Sequence, residues 1–381
     1  MKNINSFLLF SFTLFLYSCS NGSDYVTPLY PIATEKFAGT IDLNALANYA
    51  NQTIPPYIRK DNTSGNPITN KGATLGRVLF YDKNLSSNNT ISCSSCHIQE
   101  NAFGDVAIAS NGINGLTTRH SMRLVNTRFA NENKFFWDER AASLELQTTQ
   151  PIQNHIEMGF SGTLGDADLT VLITKLQNIG YYRELFKFVY GSEIITENKI
   201  QLALAQFVKS IQSFDSKYDI GRALAANDNQ PFSNFTVQEN QGKDLFMTPP
   251  VFDTTGNRIS GGVGCAICHA APEFDIDPNT KNNGIIGVLN ATGIDISITR
   301  APSLRDLIKP NGTTNGPMMH TGNFETIKNV IGHYGTIKLT PNGFGQQLHL
   351  NATEINALTA FIQTLSGNNL YTDAKWSNPF H

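Results

Sequence analysis

Ile91-Ser92-Cys93-Ser94-Ser95-Cys96-His97 and, far downstream, Gly264-Cys265-Ala266-Ile267-Cys268-His269 carry the same Cys-x-x-Cys-His signature, and its reading decides the fold. Two thiols on one turn reach the two vinyl groups of a single haem, while the adjacent imidazole swings beneath the ring to ligate iron. A Cys-x-x-Cys pair also serves in four-thiolate zinc sites, thioredoxin-like redox pairs and structural disulfides. None of these accounts for a histidine directly after both pairs, and a zinc site built from them would have to close over a very long interval. The duplicated motif therefore predicts two covalently attached c-type haems.

Working outward, each motif is preceded by a helix and a Gly/Ser-rich loop, so the chain repeats one arrangement and two domains of similar kind are expected, with a boundary near Pro231 to Thr236. Apolar residues recur at helical spacing at Leu169, Leu172, Ile173 and Leu176, at Leu204, Phe207, Val208 and Ile211, and at Leu358, Phe361, Ile362 and Leu365. Thr236 with Glu239 reads as a capping box opening a helix through Leu245 and Phe246, and Gly367 as the stop of the last helix. Alternating strand patterns are scarce. Asn/Gly/Thr/Pro-rich stretches at 61–72, 225–235, 253–264 and 277–317 are longer than compact domains usually keep, unless a ligand organises them. The expected fold is mainly α, with long loops.

A length of 381 residues at 40% hydrophobic composition suffices for two cores. The net charge of -3 and the absence of any Lys/Arg run exclude a nucleic-acid binder. At the N-terminus, Lys2 precedes an apolar run from Phe7 to Tyr17 that is too short to span a bilayer. Residues 1–18 read as a signal peptide. Leu16-Tyr17-Ser18-Cys19 resembles a lipobox whose cysteine is acylated, although Tyr17 is unusual there and an ordinary cleaved signal is the rival. Setting Cys19 aside leaves the other four of the five cysteines as two matched pairs. Residues 19–35 are polar and read as a tether, so an exported, periplasmic protein anchored by lipid is expected.

Between the two motifs the chain resembles the bacterial di-haem cytochrome c peroxidase and MauG family. Phe136-Trp137-Asp138-Glu139-Arg140-Ala141, ending in Gln147, is similar to that family's Phe-Trp-Asp-Gly-Arg-Ala segment. Pro151-Ile152-Gln153-Asn154-His155-Ile156-Glu157-Met158-Gly159 is similar to its Pro-Ile-x-Asn-Pro-x-Glu-Met-Gly. Arg300-Ala301-Pro302-Ser303-Leu304-Arg305 and Gly316-Pro317-Met318-Met319-His320-Thr321-Gly322 match the stretch before the second haem's outer ligand. The resemblance spans about residues 70–365. It implies two cytochrome c-like domains, a peroxidatic one over 36–232 and an electron-transfer one over 233–381.

It also implies roles. Trp137 would relay electrons between the haems, and Gln147, Pro151 and Glu157 would line the outer face of the first. There the Glu157 carboxylate would take a proton from one peroxide oxygen and return it to the other. Cys93, Cys96 and His97 would hold the first haem and Cys265, Cys268 and His269 the second. The family interval from His320 lands on Tyr334, where the peroxidase branch has methionine and the MauG branch tyrosine. A phenolate there would favour ferric iron. Met318, Met319, His320 and His333 are the alternatives. His120 stands where the family has an asparagine that helps bind calcium together with carbonyls matching Asn315 and Pro317, and imidazole is a poor calcium ligand. No histidine lies between Ile98 and Arg119 to close the first haem. His155, His349 and His381 have no motif support. The implied activity is reduction of hydrogen peroxide to water with electrons from a small redox protein, a cytochrome c or a cupredoxin, and a homodimer is an admissible assembly. A MauG-like oxidase acting on a protein side chain and a pure electron carrier are the rival functions.

Overall fold

The computed structural model describes residues 29–130, 134–276, 281–297, 299–343 and 345–380. The signal peptide at 1–18 and Cys19 lie outside the described residues. Of the expected tether, 31–35 instead belong to a short helix α1 (Pro31–Lys36), opened by proline at its first turn and holding Ala33 in the core. Its docking is local: Ala33 N–H donates to the Glu184 carboxylate at 2.8 Å, and Tyr30 packs edge-on against Phe188.

The first half is built on α2 (Asn70–Tyr81), α3 (Leu144–Thr148), α4 (Leu169–Gln177), α5 (Gly180–Tyr190) and α6 (Glu197–Ser210). The second uses α7 (Lys217–Leu224), α8 (Val237–Met247), α9 (Ile327–Gly335) and α10 (Ala352–Gln363). Among the described residues the strands are six, of two to four residues each, in three antiparallel pairs. The longest pair is β1 (Pro250–Phe252) with β2 (Arg258–Gly261). The mainly helical expectation holds, and the long loops are real: no helix is described between residue 281 and α9.

One helix crossing is used twice. On α2, a Cβ on Gly76 would stand 2.0 Å from the Ala203 carbonyl and 2.7 Å from Phe207 Cβ of α6. On α8, a Cβ on Gly242 would stand 1.9 Å from the Ala357 carbonyl and 2.9 Å from Phe361 Cβ of α10. Glycine on one helix and Ala-x-x-x-Phe on the other thus let each pair of backbones touch. Phe207 and Phe361 are both fully buried, worth roughly 1.5–3 kcal/mol apiece. The resulting cores are separate clusters, one around Phe80, Leu204 and Phe207, the other around Tyr218, Phe246 and Phe361.

Several boundaries move. Asn70 already starts α2 behind its N-cap Thr69, whose hydroxyl accepts from Gly72 N–H, so the loop at 61–72 is shorter than expected. The Thr236 capping box is present as read. Gly367 does not stop α10, which ends at Gln363 on the C-cap Thr364; the glycine is needed because a Cβ there would meet Asp215 Oδ1 at 1.9 Å. The boundary between 232 and 233 is crossed from both sides: Tyr218 packs in the second core, while Leu370, Tyr371 and Trp376 pack in the first. That return segment is bound by Arg77 Nε to the Ser377 carbonyl at 2.6 Å and by Gln99 Nε2 to the Leu370 and Asp373 carbonyls at 3.0 Å.

Candidate functional site

Ser92 precedes a 3-10 turn over Cys93–Ser95, and Ser92 N–H is held by the Ser95 hydroxyl at 3.0 Å. His97 N–H donates to the Cys93 carbonyl at 3.0 Å, which places the imidazole one turn beyond the first thiol. Ala102 and Phe103, both left-handed with φ 55 and 57, then turn the chain back so that the Phe103 carbonyl faces His97 Nδ1 at 3.1 Å. A carbonyl only accepts, so the proton sits on Nδ1 and Nε2 presents its lone pair. Burial holds the His97 pKa below its ordinary value, against the pull of that carbonyl. The second motif opens on Gly264, left-handed at φ 68, followed by a 3-10 turn over Cys265–Ile267. Burial pushes the His269 pKa down to about 4, with the Pro302 carbonyl opposing. Both imidazoles are thus neutral metal ligands in character.

Each motif faces its own cavity, open to solvent. The first cavity has a volume of about 200 Å³ and the second about 450 Å³, the second inside and the first below the roughly 300–1,000 Å³ of an ordinary small-molecule pocket. Phe80, Ile91, Leu144 and Leu204 line the first; Val263, Leu304, Leu307 and Leu348 line the second. Two mainly apolar cavities, each with two thiols and a neutral imidazole on one wall, have the lining and the donor set that fit a covalent haem apiece. Because the two thiol pairs sit in different cavities, no four-thiolate zinc site exists, and no disulfide joins cysteines of the described residues.

Gln147, Pro151 and Glu157 all line the first cavity with Cys93, Cys96 and His97. The Asn154 side chain accepts from Ile156 N–H at 2.9 Å and Glu157 N–H at 3.1 Å, fixing the turn that carries Glu157. Gly112 lets the opposing loop lie on this turn, since a Cβ there would be 2.0 Å from the Ile156 carbonyl. Burial raises the pKa of the Glu157 carboxyl, with the Arg140 guanidinium opposing. Arg140 stacks on the Phe136 ring at 3.6 Å.

Trp137 lines both cavities. Its Nε1 donates to the His120 carbonyl at 2.7 Å, its own carbonyl accepts from Arg300 N–H at 2.8 Å, and its ring lies 6.0 Å from that of His320. His120, Ser121, Met122, Arg123 and Arg300 complete the shared wall. His120 Nδ1 faces the carbonyls of Ala107 and Ile108 at 3.0 and 3.3 Å, so its imidazole is engaged within the protein, and an imidazole is a poor ligand for calcium.

Tyr334, on α9, lines the second cavity with Cys265, Cys268 and His269. Burial raises its pKa, with the Asn283 side chain opposing. Met318 and Met319 share that cavity, and Met319 Sδ accepts from Asn283 Nδ2 at 3.6 Å. His320 and His333 are not on its wall; His333 Nε2 is taken by the Asn283 carbonyl at 2.8 Å. His155 bonds Asp166 at 2.8 Å and His349 bonds Asn257 at 2.7 Å, as befits histidines outside the motifs. Sequence reasoning missed Met122 and Arg123, which lie just beyond the Ile98–Arg119 stretch; no spacing marks either.

Residues 70–228 match the protein family described as di-haem cytochrome c peroxidase. The methylamine utilization protein MauG of Methylophilus methylotrophus is 29% identical over 327 residues, 81% of this chain and 86% of that protein. The cytochrome c551 peroxidase of Nitrosomonas europaea is 28% identical, covering 78% of this chain and 80% of its own. Among solved structures, a MauG-like protein associated with microbial copper homeostasis superposes with a TM-score of 0.67 at 27% identity, over 86% of this chain and 99% of that one.

Proposed function

We propose, from this chain's kinship with the di-haem cytochrome c peroxidases and MauG proteins, that it is an oxidoreductase which reduces hydrogen peroxide to water with electrons from a small redox protein. When bound, the two haems supply the redox centre, the first reacting with peroxide and the second holding an electron in reserve. The observation that carries the reading is Glu157, whose carboxylate lines the first cavity and makes no hydrogen bond or ion pair with the described residues. A carboxyl so placed, with its pKa raised by burial, accepts the proton of the near peroxide oxygen and delivers it to the far one, which leaves as water. Gln147 and Pro151 bound the space in which peroxide sits, Gln147 offering an amide for orientation. Trp137 stands in the wall common to both cavities and carries electrons across it.

The test is peroxide consumption with reduced cytochrome c as donor. Glu157→Gln is expected to lose about 10²–10⁴ in turnover, the range of a positioned acid–base group. The wild-type acid limb should lie above the ordinary carboxylate range, because Glu157 must ionise to act as base and burial raises its pKa. Wild-type turnover that survives Glu157→Gln intact refutes the assignment.

A second reading is favoured by Tyr334 on the second cavity: a MauG-like oxidase that spends the same oxidising equivalents on a partner's side chain. Export to the periplasm and anchoring through Cys19 complete the proposal; no helix of the described residues is long and apolar enough to cross a membrane.

A further inference from the structure

Arg123 lines both cavities, in the wall that holds Trp137. Its Nε is buried without a hydrogen-bond partner, and its one hydrogen bond runs from Nη2 to the Ser303 carbonyl at a long 3.4 Å. It forms no ion pair among the described residues. Burial holds its pKa down to about 10, although Asp306 and Tyr371 attract the charge. The Asp306 carboxylate makes no ion pair with it; its Oδ1 accepts from Gly367 N–H at 2.9 Å and the Tyr371 hydroxyl at 3.4 Å, while its Oδ2 is buried without a partner. The stem is fixed as well: a Cβ on Gly104 would stand 2.8 Å from Arg123 Cγ, and Gly104 directly follows Phe103, whose carbonyl orients His97.

A desolvated, unpaired guanidinium costs several kcal/mol, and this fold does not leave such groups unpaired by default. The deeper Arg305 is gripped by both oxygens of Asp219 at 2.9 and 3.0 Å, and the half-buried Arg119 pairs with Asp138 and Asp295 at 2.6 Å. Arg123 differs in having no carboxylate partner, on a wall that faces two chambers. The chambers fit haem, and each haem brings two carboxylates on its edge, the anions that a planar guanidinium engages best.

We propose that Arg123 is an anion-binding residue shared between the two cofactors, its guanidinium engaging a carboxylate of each haem across the common wall. This rests on the two-haem reading alone and not on the peroxide reaction. A single cation beside both irons favours the reduced state of both, so Arg123 ties the two reduction potentials to one charge.

The experiment is a spectroelectrochemical titration of the matured two-haem protein, its haem count measured first. A wild-type chain with fewer than two haems refutes the two-haem reading, separately from this proposal. In Arg123→Gln, both midpoints should fall by about tenfold in the reduction equilibrium, about 59 mV for each one-electron couple. Arg123→Lys, which keeps the charge and loses the fork, should recover most of that shift. A shift at one haem only, at neither, or equal shifts in Arg123→Gln and Arg123→Lys would overturn the proposal. Should Arg123→Gln fail to mature, Arg123→Lys carries the test: it must load both haems, and the resonance Raman bands of the haem carboxylates must move at both. Loading with unmoved bands, or failure to load, overturns it too.

Discussion

Replacing Gly242 by alanine presses a methyl group into the α8–α10 crossing. The new Cβ would stand 1.9 Å from the Ala357 carbonyl oxygen, a backbone atom that no rotamer change can remove, and ordinary contact begins at 3.4 Å. The helices must therefore part by about 1.5 Å along that line, stripping Phe361 of close contacts on both sides. Forcing a methylene into a packed core costs typically ~1–3 kcal/mol, and this contact belongs at the upper end. Alanine returns about 0.5–1 kcal/mol through helix propensity, leaving a net loss of about 2 kcal/mol. For a unit of this size that is a fall of roughly 4–8 °C in Tm. The loss should be directional. Leu245 and Thr248 carbonyls accept from Val263 N–H at 2.7 Å and Gly264 N–H at 3.0 Å, so a displaced α8 drags the Cys265 turn with it. Calorimetry with a haem count per chain checks this: Gly242→Ala should mature with a depleted second haem and an intact first. Gly332→Ala is the opposite control, since that glycine lies on α9 with nothing within 4 Å of its Cβ, and it should stabilise by about 0.5–1 kcal/mol. If Gly242→Ala melts with the wild type, the account of the crossing is wrong.

Tyr334→Met should raise the midpoint of the second haem by at least about tenfold in its reduction equilibrium, ~59 mV, and change the spectrum of that haem alone, because a thioether stabilises ferrous iron relative to phenolate. An unchanged spectrum, with Met319→Ala altering it instead, would transfer the ligand to Met319. Burial pushes the Asp306 carboxyl up to about 6 from 3.8, so the folded protein keeps a proton that the unfolded chain gives up. Stability should therefore fall as pH rises from 3.8 through 6, by about 3 kcal/mol in all. In denaturant titrations Asp306→Asn should gain on the wild type between pH 4 and pH 8, and a gap that does not change with pH would contradict the burial argument.

What could be read in the sequence was what local chemistry writes. The two Cys-x-x-Cys-His turns, the Thr236 capping box and the stripes on α4, α6 and α10 depend on neighbours a few residues away, and the structure keeps them. Trp137, Gln147, Pro151 and Glu157 were legible only as parts of joint motifs, and the fold gathers all four on the first cavity. Helix α2 was expected ahead of the first motif but without bounds, because residues 72–81 are buried all round, which erases the amphipathic stripe. The need for Gly76 and Gly242 comes from their partners on α6 and α10, which lie more than a hundred residues away in sequence. Arg123 was invisible for a different reason: its significance lies in what it does not touch, which is a property of the assembled wall rather than of spacing.

The return of residues 370–380 to the first core sets an order of events during synthesis. Tyr81 and Gln99 flank the first Cys-x-x-Cys-His turn, and their side chains are satisfied by the carbonyls of Trp376, Leu370 and Asp373, which are made only after the whole second half. Until then the earlier half lacks one of its walls. The half that is translated first is therefore the half whose packing is finished last, when residues 370–380 dock on it.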